Sequence, residues 1–122
     1  PIILNIVSKA RKSAAADSVY GIMKAMELKY VESMLDTNML EFPIVADYTS
    51  NKFTYGDSDT NTYTLTYKGT TPTSGKITLT DVETTETGTV ENYHYEFDKV
   101  MMNGYECKID AKQVVKCDNP TA

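Results

Sequence analysis

The sequence predicts a single α+β domain in which one long N-terminal helix packs on an antiparallel sheet. After Pro1, the first 36 residues contain no proline and are rich in the helix formers Ala, Met, Lys, Glu and Leu. From residue 62 onward, apolar and polar residues alternate as they do in half-buried strands. The 122 residues suffice for one hydrophobic core. A helix followed by a run of antiparallel strands is the α+β arrangement.

The domain divides into three segments along the chain. The helix covers residues 1–36, a connecting loop region covers residues 37–61, and the sheet with its C-terminal hairpin covers residues 62–118. Proline, glycine and an Asp-Ser-Asp cluster mark the connection as loop. Short strand-like or helical pieces are expected within it, near Phe42–Val45 and Lys52–Tyr55.

Period-2 alternation predicts the strands that follow. Asn103-Gly104 is a strong signal for a tight turn between two of them. The residues predicted to face the core from these strands are Tyr63, Leu65, Tyr67, Ile77, Leu79, Tyr93, Tyr95 and Phe97.

The two cysteines both lie in strand-like stretches near the C-terminus. A hairpin that turns at residues 111–113 places Cys107 and Cys117 opposite each other, within the roughly 7 Å between Cα atoms that a disulfide needs. We therefore expect a disulfide and an oxidising compartment. The alternative is a pair of reduced cysteines in the core of a cytosolic protein.

The apolar residues of the helix form two stripes rather than one. A helix that merely covered a sheet would need a single stripe, so the second is predicted to meet a partner. The alternative is a helix that uses both faces within one monomer. The core-facing stripe comprises Ala15, Val19, Ile22, Met23, Met26, Tyr30 and Met34. The opposite stripe comprises Ile3, Leu4, Ile6, Val7, Ala10 and Ala14, extended by Leu28 and Leu35.

The opening residues resemble a known family. The stretch Pro1–Val7, followed by Lys9, Arg11 and Lys12, resembles the region after the membrane-spanning part of type IV pilins, particularly the Gram-positive, clostridial type. The apolar run is too short to cross a bilayer, which takes roughly 20 apolar residues. Its abrupt start suggests that a membrane segment precedes it.

The resemblance implies a structural role. Such a subunit polymerises through its N-terminal helix into an extracellular filament for adhesion or motility, and is anchored in the membrane only by the absent segment before assembly. The expected partners are other copies of the chain and related pilins in the filament. The assembly ATPase and membrane platform proteins would act indirectly, and the filament would contact a host or bacterial surface. Cys107 and Cys117 resemble the C-terminal disulfide of the family. The filament interface is predicted at Ile2, Ile3, Leu4, Ile6, Val7, Ala10, Arg11 and Ala14.

Other functions receive less support from the residues. His94 is the only histidine, which removes most nucleophile–base pairs and most zinc sites. We therefore expect no enzyme, cofactor or metal site. A net charge of −5 without a basic run argues against nucleic acid. Two alternatives stay open: a pseudopilin of a secretion or DNA-uptake system, and a secreted module that binds ligands through its tyrosine-rich strands.

Overall fold

A helix of 33 residues precedes six antiparallel strands, which confirms the predicted α+β fold. The computed structural model describes residues 2–84, 87 and 90–121. The strands form one sheet in the order β2-β1-β3-β4-β5-β6. The elements are α1 (Ile2–Met34), β1 (Ile44–Asp47), β2 (Lys52–Tyr55), β3 (Ser74–Thr84), β4 (Val90–Met102), β5 (Tyr105–Ile109) and β6 (Val115–Asp118).

The middle of α1 supplies its half of the core. The helix packs on β6 and β5 and reaches β4. Its side chains are buried at the three- and four-residue spacing of a helix that lies on a surface. The buried helical residues are Ala15, Val19, Ile22, Met23, Met26 and Tyr30, and the sheet buries Ile44, Ala46, Ile77, Leu79, Tyr95, Val100 and Met102 against them.

The last turn of α1 departs from the prediction. Met34 is exposed, whereas Ser33 is buried. The Ser33 hydroxyl donates to the Tyr30 carbonyl (2.6 Å) and accepts from the Leu40 amide (3.1 Å). Because the chain folds back at this point, Leu40 fills the core position that Met34 was predicted to take.

The alternating stretch at residues 62–67 is not a strand of the sheet, so this prediction was wrong. It makes a single bridge, between Thr62 and Thr54 of β2. The alternation of burial is present, because Tyr63 is buried, Leu65 and Tyr67 are half-buried, and the intervening threonines are exposed. The Tyr63 hydroxyl donates to the Val45 carbonyl at 2.9 Å. The stretch therefore covers β1 and β2 without extending the sheet.

The predicted loop region at residues 37–61 contains two strands of the sheet. β1 lies between β2 and β3, and its burial alternates at Ile44 and Ala46. Each strand has only four residues, which is too short for periodicity to separate it from loop. The strand-like pieces expected within this region therefore form two strands of the six.

β3 and β4 are much longer than their neighbours. They pair from Ser74↔Met101 to Thr84↔Val90, with irregular register near the ends and middle. Gly75 of β3, whose φ is +101°, lies against the backbone of β4. A Cβ atom at this position would lie 2.6 Å from the carbonyl carbon of Lys99 and as close to the Cα of Val100. Glycine is required here by both its backbone angle and the space available.

Replacing Gly75 by alanine should therefore be costly. We expect Gly75→Ala to lower the free energy of unfolding by about 3 kcal/mol, since strain and backbone overlap add together. Gly104→Ala is the matched control, because Gly104 also has positive φ but has open space around it. The control should lose only about 1–2 kcal/mol. Urea titration of both variants measures the difference, and equal losses would contradict the predicted overlap.

The C-terminal hairpin forms as predicted. Asn103 and Gly104 both have positive φ, which is the geometry of a two-residue hairpin turn between β4 and β5. Cys107 lies opposite Cys117, their Cα atoms are 4.0 Å apart, and the two form a disulfide. Both cysteines are buried against the helix side of the domain. The disulfide therefore ties the edge strand β6 to the sheet beneath α1.

Removing the disulfide should loosen this edge. Closing a loop of 10 residues stabilises the fold by about 2–3 kcal/mol in the chain-entropy model. We expect Cys107→Ala with Cys117→Ala to lose this amount in urea unfolding. The parent protein should lose a similar amount when dithiothreitol is added, whereas the double variant should be insensitive to the reductant. An unchanged unfolding midpoint in the variant would contradict the prediction.

Candidate functional site

The opening turns of α1 lie outside the core. None of the described side chains from Leu4 to Ala14 is buried, and the first fully buried helical residue is Ala15. Leu4 is 64% exposed and Ile6 is 60% exposed. Apolar side chains of this size rarely stand together in water without a partner. The predicted interface residues whose side chains are described as exposed are Leu4, Ile6, Val7, Ala10, Arg11 and Ala14.

Two of the predicted interface residues have side chains outside the described part of the chain. Ile2 and Ile3 belong to the helical backbone, which begins at Ile2. The predicted interface at these two positions stays a prediction.

Leu4 points in a different direction from the stripe in which it was predicted. It precedes Ile22 by 18 residues, which is five turns at 3.6 residues per turn. Leu4 therefore projects to the same side as Ile22, which is fully buried. Its exposure arises because the sheet does not extend beneath the opening turns. Both sides of this segment are free, rather than one.

Cationic side chains follow the apolar turns. We call Lys9, Arg11 and Lys12 the basic collar, and no acidic residue precedes them. Lys12 pairs with Asp118 of β6 at 2.8 Å. The hydrogen bond from Lys12 lowers the pKa of the Asp118 carboxyl. Lys9 and Arg11 are exposed, and within the described ranges no carboxylate lies at ion-pair distance from either of them.

A second apolar surface lies at the far end of the same helix. Leu28 is 59% exposed, Leu35 is 90% exposed, and Val31 between them is partly exposed. Leu28 follows Ala10 by 18 residues and so projects to the same side of the helix. Val31 was missed by sequence reasoning, although its position three residues after Leu28 is a signal for a shared face.

Two tyrosines fix the rotation of α1 on the sheet. The Tyr20 hydroxyl accepts a hydrogen bond from the backbone amide of Val115 at 2.7 Å. The Tyr95 hydroxyl lies 2.9 Å from the Met23 carbonyl and 2.8 Å from a carboxylate oxygen of Glu27. Because these bonds join the helix to β6 and to β4, they determine which side of α1 faces outward.

The tyrosines that the alternating pattern singled out belong to the core or pack against it. Tyr63 and Tyr95 are buried, and Tyr67 and Tyr93 are half-buried. The Tyr67 hydroxyl is hydrogen-bonded to that of Tyr48 at 2.7 Å. Burial raises the pKa of Tyr63. Burial and, to a smaller extent, the charge of Glu27 raise the pKa of Tyr95. The structure thus places these residues in the packed interior, where the hydroxyls of Tyr63 and Tyr95 donate to the backbone carbonyls of Val45 and Met23.

The residues weighed for metal binding do not converge. Cys107 and Cys117 are consumed by their disulfide. His94 is half-buried, and its Nε2 lies 3.2 Å from a carboxylate oxygen of Glu83. Within the described part of the chain, no group of three or more histidine, cysteine or acidic side chains is arranged to hold a metal ion. The most distinctive feature is therefore the apolar surface of α1.

Comparison with known proteins yields no relative. No protein-family model, no curated protein and no solved structure matches this chain. Among the described residues, no helix has both the length and the apolar character needed to cross a bilayer. The long N-terminal helix, the antiparallel sheet and the disulfide are compatible with a pilin-like fold.

The contact between Glu27 and Tyr95 should make stability depend on pH. Burial raises the pKa of Glu27, although the hydrogen bond from Tyr95 and the charge of Lys24 oppose the rise. The folded state therefore binds this proton more tightly than the unfolded state does. The free energy of unfolding should decrease as pH rises from below 4.5 through the raised pKa.

The variant Glu27→Gln tests this dependence, because glutamine does not titrate and can still accept the hydrogen bond. Urea unfolding of parent and variant between about pH 4 and pH 7 should show the parent losing stability relative to the variant as pH rises. Glu32→Gln, at an exposed position of the same helix, should run parallel to the parent. Parallel curves for Glu27→Gln and the parent would contradict the prediction.

Proposed function

We propose that this chain is the structural subunit of a type IV pilus, an extracellular filament for adhesion or motility, and that it polymerises through α1. The observation that carries the proposal is the exposure of the opening turns. Leu4, Ile6 and Val7 are exposed, and among the described side chains the core cluster begins at Ala15. A second copy of the chain is the partner that this geometry favours.

The position of the exposed surfaces favours a filament over a closed dimer. One apolar surface lies at the start of α1, and the other lies around Leu28 and Leu35 near its end. The 33 residues of the helix span about 50 Å. If the first surface of one copy packs on the second surface of another with the two helices parallel, the contact is heterologous. Heterologous contacts that do not close into a ring produce helical filaments.

Apolar burial supplies most of the energy in this proposal. Burying a large aliphatic side chain contributes about 1.5–3 kcal/mol, whereas an exposed ion pair contributes about 0–1 kcal/mol. Leu4, Ile6 and Val7 together therefore outweigh the pairing of Lys9 or Arg11 with a neighbour. The basic collar would then determine the register and orientation of neighbouring copies and add little to the affinity between them.

The remaining features suit a filament exposed outside the cell. The disulfide is the kind of cross-link that persists in an oxidising environment. The sheet and loops would coat the filament, while α1 would form its interior. Assembly would depend on separate ATPase and membrane platform proteins, as in the family that the opening residues resemble.

A charged residue in the opening turns should abolish assembly without unfolding the domain. We expect Ile6→Glu to remove filaments from the surface of the producing cells, because it would bury a carboxylate among apolar neighbours. Ile6 is 60% exposed in the chain, so the substitution should leave the urea midpoint unchanged. Immunogold electron microscopy with an antibody raised against the chain measures the outcome.

Val114→Glu is the matched control, because Val114 is an exposed apolar residue outside the helix. Cells that carry this variant should keep labelled filaments. Unlabelled filaments in parent cells, or normal filaments with Ile6→Glu, would overturn the proposal. Labelled assemblies that remain short in the parent would instead favour the pseudopilin alternative.

A further inference from the structure

β3 and β4 extend beyond the rest of the sheet as a two-stranded arm. β1 pairs with β3 only from Ile44↔Leu79 to Asp47↔Lys76, and β5 pairs with β4 only at residues 100–102. Residues 80–84 and 90–94 pair with each other, and no other described strand joins them. We call these two segments the β-arm. At about 3.3 Å per residue it extends roughly 15 Å past its neighbours.

The β-arm is acidic. Its two segments contain Asp81, Glu83 and Glu91 and no lysine or arginine. Asp81 and Glu83 are exposed, and the residue between them, Val82, packs against the core. Because side chains alternate along a strand, the two carboxylates lie on the outer face of the sheet, away from α1. In the described part of the chain, no lysine or arginine is at ion-pair distance from them.

Within one chain, the β-arm is too far from the basic collar for the two to meet. Tyr93 in the arm and Glu27 in α1 line the same open surface pocket, so the base of the arm lies beside this part of α1. From Lys9 to Glu27 the helix rises about 27 Å over 18 residues. Direct pairing therefore requires two molecules.

We propose that the β-arm of one copy docks against the basic collar of another copy. The occupant is a second copy because the chain carries both halves of the contact: unpaired cations at Lys9 and Arg11, and an unsupported acidic strand pair at the other end of the fold. The acidic arm and the basic collar attract each other, whereas contact between two arms or between two collars would be repulsive. With the helices of the two copies parallel, as in the proposed filament, the contact is heterologous and has a defined direction along α1. This inference rests on the proposed function and adds the element that sets register between subunits.

The inference can be tested by reversing charge on each side. Lys9→Glu with Arg11→Glu makes the collar acidic, and Asp81→Lys with Glu83→Lys makes the exposed arm basic. Each variant alone should self-associate about tenfold more weakly than the parent in sedimentation equilibrium at low salt and millimolar chain concentration. An equimolar mixture should regain the association of the parent, because each altered collar then meets an oppositely charged arm.

Net charge alone predicts a different pattern. Starting from −5, the collar variant has a formal charge of −9 and the arm variant a formal charge of −1. Net repulsion therefore falls in the arm variant, whereas the arm–collar contact predicts that its self-association weakens. The matched controls place the same changes elsewhere at exposed positions: Lys108→Glu with Lys116→Glu, and Asp57→Lys with Asp59→Lys. The control variants should associate as the parent does, both alone and mixed.

A second measurement needs no variant to fold. Carbodiimide treatment of a mixture of the ¹⁵N-labelled and unlabelled parent should join Lys9 to Asp81 or Glu83 in peptides of mixed label. Mixed-label peptides at these sites support the proposal. Their absence overturns it, as does a mixture of charge-reversed variants that fails to recover.

The outcomes separate the two proposals. If the parent associates and Ile6→Glu abolishes this association, but charge reversal has no effect, the β-arm contact is wrong and polymerisation through α1 stands. If the parent stays monomeric in solution and parent cells carry no labelled filaments, both proposals fail together.

Discussion

The structure depends on a mismatch of length between α1 and the surface that it covers. The helix spans about 50 Å, but among its described side chains the buried ones lie between Ala15 and Ser33, and the apolar ones end at Tyr30. That central segment contributes the helical half of the core and is fixed in rotation by the hydroxyls of Tyr20 and Tyr95. The two ends of the helix then carry apolar side chains that the domain does not use.

The same mismatch occurs in the sheet. β3 and β4 extend beyond β1 and β5, and the excess forms the β-arm. A protruding strand pair with free edges invites unwanted pairing, and charged residues on it are one way in which proteins prevent this. In the proposed assembly the same charges also face the basic collar of a neighbour. Attraction between a β-arm and a basic collar, and repulsion between two β-arms, would then both favour pairing of arm with collar.

The helix and the disulfide could be predicted because their signals are local. A 3.6-residue period continues from Ala15 to Tyr30, and the spacing of Cys107 and Cys117 fits one hairpin register. The end of the helix could not be predicted as well. Leu40 takes the core position predicted for Met34, and it is held there after a reversal of the chain by the hydrogen bond from its amide to the Ser33 hydroxyl.

Other features depend on contacts that are distant in sequence. The stretch from Tyr63 to Tyr67 alternates as a strand does, but whether it joins a ladder depends on the position of β2. Leu4 has the direction of a core residue and is exposed only because the sheet ends before it. The β-arm likewise follows from the lengths of β1 and β5 relative to β3 and β4. Apolar periodicity in the sequence does not indicate where the sheet ends or how long one strand is relative to its neighbours.

Hydrogen exchange along α1 tests most directly whether the opening turns wait for a partner. In the free chain, the amides of residues 5–14 should exchange far faster than those of residues 19–30, because none of the side chains in this segment is buried in the core. In assembled filaments the same opening amides should become protected while the central ones change little. Opening amides that are already as protected in the free chain as the central ones, or that stay unprotected in filaments, would contradict polymerisation through this helix.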